Sequence, residues 1–296
     1  MANAGNVTKS KKLKFAYRAD RKHWVGNGFH VHGMLHPGAE IYPFISPFIL
    51  LDYASPRQFE KALTPRGVGE HPHRGFETVT LAYQGEVAHR DSSGGGGIIK
   101  PGDVQWMTAG SGVVHDEFHS DDFTQKGGIF EMIQLWVNLP AEFKMTPPKY
   151  QSIKSTKIPD LKIGNSGKLR VIAGSYKDQK GPSSTFTPIN LYDIETVDEE
   201  NLSLEFSAGT NTIILIMNGQ LTLEKQLYQD KSILIFEPTG EIIDLKTSKD
   251  FKGLILNGQP INEPIAAHGP FVMNTREEII QAMHDYQNGK MGHLKK

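Results

Sequence analysis

Apolar residues recur along this chain in short runs cut by glycine and proline, the pattern of strands and tight turns. Residues 75–83 read as one strand, rich in Phe, Thr and Val. Ile98-Ile99 leads into Pro101-Gly102-Asp103, where Pro presets φ and Gly supplies a positive φ, so a type II turn is expected. Extended structure resumes over 104–107 and again over 129–137. The second half repeats the pattern at 202–206, 212–217 and 231–236. Four consecutive glycines, 94–97, have neither a Lys-Ser/Thr follow-up nor a helix signal behind them, so they read as a hairpin loop rather than a phosphate cradle. The prolines at 140, 147, 148 and 159 forbid a long central strand or helix and mark a linker over 141–160.

One helix is expected, at the end of the chain. Thr275-Arg276-Glu277-Glu278 is a capping box, and Ile279, Ile280, Met283 and Tyr286 follow on one helical face, with Gly289 as the stop. The halves also rhyme: 79–85 resembles 213–219, each an apolar strand running into a polar-Gly turn. A duplicated β-barrel unit follows, with a first domain over 1–140, the linker over 141–160 and a second domain over 161–296.

Composition narrows the chemistry. The 296 residues include no cysteine, which excludes disulfides, thiolate metal sites and a Cys nucleophile. Lys+Arg total 32 against 33 Asp+Glu, so no global basic field draws nucleic acid or anionic membrane. The run Lys9–Lys14 reads as a solvated tail, and no apolar segment of signal-peptide length follows it. The longest apolar stretch, 44–51, is far short of the roughly 20 residues a membrane-spanning helix needs. A cytoplasmic protein with neither nucleic acid nor membrane as partner is the expectation.

The 12 histidines are concentrated in the first half, with none between 120 and 267. His71-Pro72-His73 puts two imidazoles on one face of a strand, because side chains alternate with period two. His115-Asp116-Glu117 repeats that geometry with one imidazole and one carboxylate. Adjacent in a barrel, these segments would present three nitrogens and an oxygen to one ion, a set that suits iron, copper, nickel, zinc or manganese. Spacing leaves Glu77 open as a second candidate carboxylate, since it too is in phase with the first pair. His30-Val31-His32, with His36, has no downstream carboxylate partner and reads as an ordinary strand. His89 and His119 read as half-exposed loop residues, and His23, His268, His284 and His293 as surface or interface groups. Trp106 and Met107 read as core, and Gly110-Ser111-Gly112 does not fit a serine hydrolase elbow.

His71-x-His73-x₃-Glu77 with Gly85, and 101–110 running on to His115, resemble the two cupin motifs. More narrowly, the strings 71–78, 101–110, 269–278 and 285–289 resemble the pirin family over nearly the whole chain. The resemblance implies an all-β bicupin of two jelly-roll-like barrels, the first metal-binding and the second metal-free. It chooses between the carboxylates: His71, His73, His115 and Glu117 as the ligands, with Glu77 structural. Offsets taken from the paired glycines put Glu205, Ser207, Leu245 and Thr247 at the equivalent places in the second barrel, where no imidazole survives. The resemblance further implies a quercetin 2,3-dioxygenase-type oxidoreductase. One divalent transition metal, iron(II) before copper, nickel, manganese or zinc, would act on a flavonol-like aromatic and O2, with Glu117 as base. The alternative it carries is an iron-containing regulator that binds a partner protein in a metal- or redox-dependent way without turnover. Asp116 and Ser111 depart from the family's usual Ser and Arg.

Overall fold

The computed structural model describes residues 9–36 and 40–294, so the opening segment 1–8 lies outside the described residues. Strands dominate, and they form two sandwiches of the same plan, each a seven-stranded sheet facing a four-stranded one. In the first, the large sheet runs Lys149–Ile153, Val104–Thr108, Phe76–Gln84, Gly128–Asn138, Phe48–Phe59, Phe29–Leu35, Lys22–Val25. Its partner sheet is Gly67–His73, Val113–His119, Val87–Asp91, Gly96–Ile99. The second sandwich sets a sheet from Leu13–Arg18 to Asp160–Ile163 against one built on Glu200–Glu205 and Ile242–Thr247. The all-β bicupin is therefore the observed fold.

The two large sheets meet back to back. Val79, Leu81, Ile133 and Leu135 share one core with Ile213, Leu215, Leu254 and Leu256. Alternation then turns the intervening residues of each large sheet into its own barrel. In the second barrel these are apolar: Ile214, Ile216, Leu234 and Phe236 pack with Leu204 and Ile243. In the first they include Gln105, Thr80, Gln134 and Asp52, which are register neighbours in a row across four strands. The first barrel sets this polar row beside an apolar cluster that includes Phe29, Val31, Phe130 and Met132, where its twin has a closed apolar core.

Three sequence expectations change. The run Lys9–Lys14 is not a solvated tail: Leu13–Arg18 pairs with Ser232–Phe236 at the edge of the second barrel. Lys11 is buried there, and its ammonium donates to the carbonyls of Thr210, Glu237 and Pro238. The 141–160 stretch contains the strand Lys149–Ile153, which adds to the edge of the first barrel's sheet, the one place its prolines permit. In the terminal helix Arg276–Gln287 the capping box forms as read, but the buried stripe is Ile279, Ala282 and Asp285. Ile280, Met283 and Tyr286 face outward, while Ile279 and Ala282 pack with Val114, Phe271, Met273 and Met291 and Asp285 pairs with Arg74. Among the described residues no helix is long and apolar enough to cross a membrane.

Candidate metal centre

The strands Gly67–His73 and Val113–His119 run antiparallel, with His115 opposite His71. Gly75 makes the arrangement possible: its φ is +87°, and a Cβ there would lie 2.0 Å from the Val272 carbonyl oxygen. It lets the chain turn out of the histidine strand directly beneath the C-terminal segment. The imidazoles of His71, His73 and His115 then converge, with ring centroids 4.2–4.9 Å apart and ligand nitrogens all within 4.8 Å of one another.

Each ring is held from its Nδ1 side. His71 Nδ1 donates to Gly69 O at 2.8 Å and His73 Nδ1 to Pro270 O at 3.3 Å. His115 Nδ1 lies 3.3 Å from His89 Nδ1. For His71 and His73 this fixes the tautomer that leaves Nε2 as a lone-pair donor, the usual task of groups outside a metal's own ligands. His115 Nε2 is buried and has no hydrogen-bond partner among the described residues. An orphaned buried polar atom costs about 1–3 kcal/mol, so this nitrogen is built for a partner the chain does not supply. Burial, reinforced by the neighbouring rings, lowers His73 to about 3 and His115 well below its ordinary value. Both rings are neutral near pH 7, the form in which imidazole ligates. The residues fit a transition metal.

Glu117 does not share the mutual 4.8 Å set of the three histidines. It forms its own set with His115 and His89, and its Oε1 accepts from the Thr80 hydroxyl at 3.3 Å. It nevertheless lines the same cavity as His71 and His73. Glu77 sits on the opposite face of its strand from Thr80 and joins neither set. Its Oε1 accepts from the Thr108 hydroxyl at 2.7 Å, and burial, offset only in part by hydrogen bonding, raises its carboxyl to about 7.

His89 and His119 are buried strand residues, not half-exposed loop positions. His119 packs against Phe59, Phe123 and Phe130 and bonds Gly28 O, a core role. His89 stacks on Tyr150 and reaches Asp91 Oδ2 at 3.4 Å from its Nε2. Burial pushes Asp91 up, but hydrogen bonds from His89, Ser93 and Gly95 outweigh it and hold the carboxyl at about 2. An Asp91–His89–His115 chain thus backs the cluster. The spacing His89-x-Asp91 could have revealed it, since it repeats the two-residue phase of the other pairs. The strand pair His30/His32 stays out of the cluster, as expected.

The cavity beside these groups measures about 410 Å³. His71, His73 and Glu117 line it, with apolar walls from Phe29, Val31, Leu50, Val68, Met132 and Trp136. A larger cleft of about 640 Å³ lies between the barrels but holds none of the histidines, and its Lys252 and Glu131 pair with each other at 3.1 Å. In the second barrel Leu245 is core and Thr247 bonds Thr196, so the equivalent positions hold no ligand set.

Two tandem cupin barrels, one with an imidazole cluster open to a cavity, define a bicupin. Comparison with known proteins narrows this. The pirin family model matches residues 28–137 and the pirin C-terminal cupin domain matches 191–292. A Pseudomonas aeruginosa protein named as a candidate quercetin 2,3-dioxygenase is 44% identical over 95% of this chain and 98% of its own. A pirin-like protein of Solanum lycopersicum is 39% identical over 84% of this chain and 82% of its own. A crystal structure titled quercetin 2,3-dioxygenase, from Acinetobacter baumannii, superposes with a TM-score of 0.93 at 48% identity, covering 97% of this chain and 100% of that one. The chain belongs to the pirin family.

Proposed function

We propose that this protein is a metal-dependent dioxygenase that opens flavonols such as quercetin. In this reading the first barrel holds one divalent transition metal through His71, His73, His115 and Glu117, with iron(II) the first choice. The carrying observation is the buried, partnerless His115 Nε2 among three convergent imidazoles beside an apolar cavity. The names of the P. aeruginosa and A. baumannii relatives support the substrate class.

When bound, the metal supplies Lewis acidity that makes the flavonol 3-hydroxyl a stronger acid. The chain's residues do the rest. Glu117 accepts the hydroxyl proton, oriented by the Thr80 hydroxyl on its Oε1. Phe29, Val31 and Trp136 hold the flat rings and keep water from the reacting face. Both atoms of O2 enter the product as the central ring opens and carbon monoxide leaves. The cavity's 410 Å³ falls within the roughly 300–1,000 Å³ of small-molecule sites. The test is aerobic incubation of metal-loaded protein with quercetin. Flavonol loss supports the assignment. Metal uptake without turnover in the iron, copper, nickel and manganese forms favours the regulatory alternative.

A further inference from the structure

One group in the cavity has no task in the proposed chemistry. Asp52 projects from Phe48–Phe59 into the first barrel, in register with Gln134 on one side and Gly33 on the other. It lines the cavity along with the histidines and Glu117. Only 8% of the residue is exposed, and Oδ1 is fully enclosed without a hydrogen-bond partner among the described residues. Native proteins rarely leave a buried carboxylate oxygen so, and each instance calls for a cause.

The surroundings narrow what that partner is. No lysine or arginine lines the cavity, so Asp52 is not half of an ion pair there. It belongs to neither metal-capable set. Gln134, its neighbour, shares the one Thr80 hydroxyl proton with Glu117, at 3.0 Å through Oε1, and its amide makes no hydrogen bond to Asp52 Oδ1 among the described residues. On the other side Gly33 presents no side chain, and a Cβ there would meet His36 Nε2 at 2.4 Å and His23 Cε1 at 3.6 Å. Those two exposed imidazoles therefore lie over Gly33 at the flank of Asp52. Burial pushes the Asp52 carboxyl above its ordinary value, while His23 and His36 pull the other way. The rest of the wall is apolar and aromatic, suited to a ring rather than to a charged chain.

We propose that Asp52 is a specificity-determining residue, whose carboxylate accepts a hydrogen bond from a ring hydroxyl of the substrate other than the one taken at the metal. The site thereby selects polyhydroxylated flavonols over those bearing the 3-hydroxyl alone. This rests on the dioxygenase reading for the substrate class, but the recognition itself does not depend on turnover. A site built around a hydroxyl rejects the analogue that lacks it, because the buried acceptor is then left unpaired.

The experiment is an anaerobic titration of metal-loaded protein with quercetin and with 3-hydroxyflavone, followed by tryptophan fluorescence, since Trp136 lines the cavity. Wild type is expected to bind quercetin about 10–100-fold more tightly, the range for one satisfied against one orphaned buried acceptor. Asp52→Leu should collapse that preference to within about twofold while metal content stays at the wild-type level. Asp52→Asn keeps the shape, weakens the acceptor and guards against a folding artefact in the leucine variant; its preference should fall several-fold. Equal wild-type affinities, or a preference that survives in both variants, would overturn the inference. An Asp52-dependent preference in a protein that consumes neither flavonol in air upholds the inference and sinks the dioxygenase reading. Consumption of both flavonols with no dependence on Asp52 does the reverse.

Discussion

At the scale of single residues, the decisive contrast is between two carboxylates that the sequence spaces equally well. Glu117 lines the cavity and forms a set with His115, whereas Glu77 points to the opposite face and bonds Thr108. Glu117→Ala should therefore lower bound metal by 10-fold or more, against little change for Glu77→Ala, measured by elemental analysis. The reverse order would mean that Glu77 is the ligand. Glu77 has its own signature in stability. Its folded value of about 7 lies above the ordinary 4.5, so the native state holds its proton longer than the unfolded chain does. That contribution is complete below about pH 4.5 and is lost as pH rises towards 7. Glu77→Gln should remove a slope on the order of 1–3 kcal/mol across that window in denaturant titrations. The histidine pairs were legible because strand alternation alone aligns residues two apart. Asp52 and Thr80 were not, since a lone polar residue in a strand does not reveal whether its face looks into a cavity or a core.

At the scale of elements, the C-terminal helix acts at a distance from its own barrel. Asp285 pairs with Arg74 at 2.8 Å, next to His73, and with Lys290 at 2.8 Å. Arg74 in turn donates to Ser111 O, on the turn before the His115 strand. Just upstream of the helix, the Pro270 carbonyl orients His73. Hydrogen bonds from Lys290 and Arg74 hold the Asp285 carboxyl well below the usual carboxylate range. Asp285→Ala strands a nearly buried guanidinium and should cost on the order of 2–4 kcal/mol in chemical denaturation, with metal affinity falling several-fold. Unchanged stability would show that the helix docks through apolar contacts alone. The helix itself was legible from its capping box, whose signal is local. Its docking face was not, because the outward Ile280, Met283 and Tyr286 are larger and more apolar than the Ile279, Ala282 and Asp285 that dock, and the partner charge, Arg74, lies 211 residues away in sequence.

At the scale of the whole molecule, the barrels exchange their ends. The N-terminal strand completes the second sheet, and the C-terminal segment returns to the first through the bridge between Arg74 and Phe271. Between them lies a single core drawn from both large sheets. The duplication was legible from repeated strand-and-glycine turns. The exchange was not, since strand patterning carries no address for which sheet an edge strand joins. Calorimetry should show one cooperative transition, with both barrels melting together; two resolved transitions would contradict the shared core. The polar row inside the first barrel, beside a closed apolar twin, also places all the candidate chemistry in one barrel. The most direct measurement is carbon monoxide release and flavonol loss when metal-loaded protein meets quercetin in air. Both should proceed in step in wild type and fall at least about 100-fold in Glu117→Ala. No loss of flavonol absorbance in any of the iron, copper, nickel and manganese forms would contradict it.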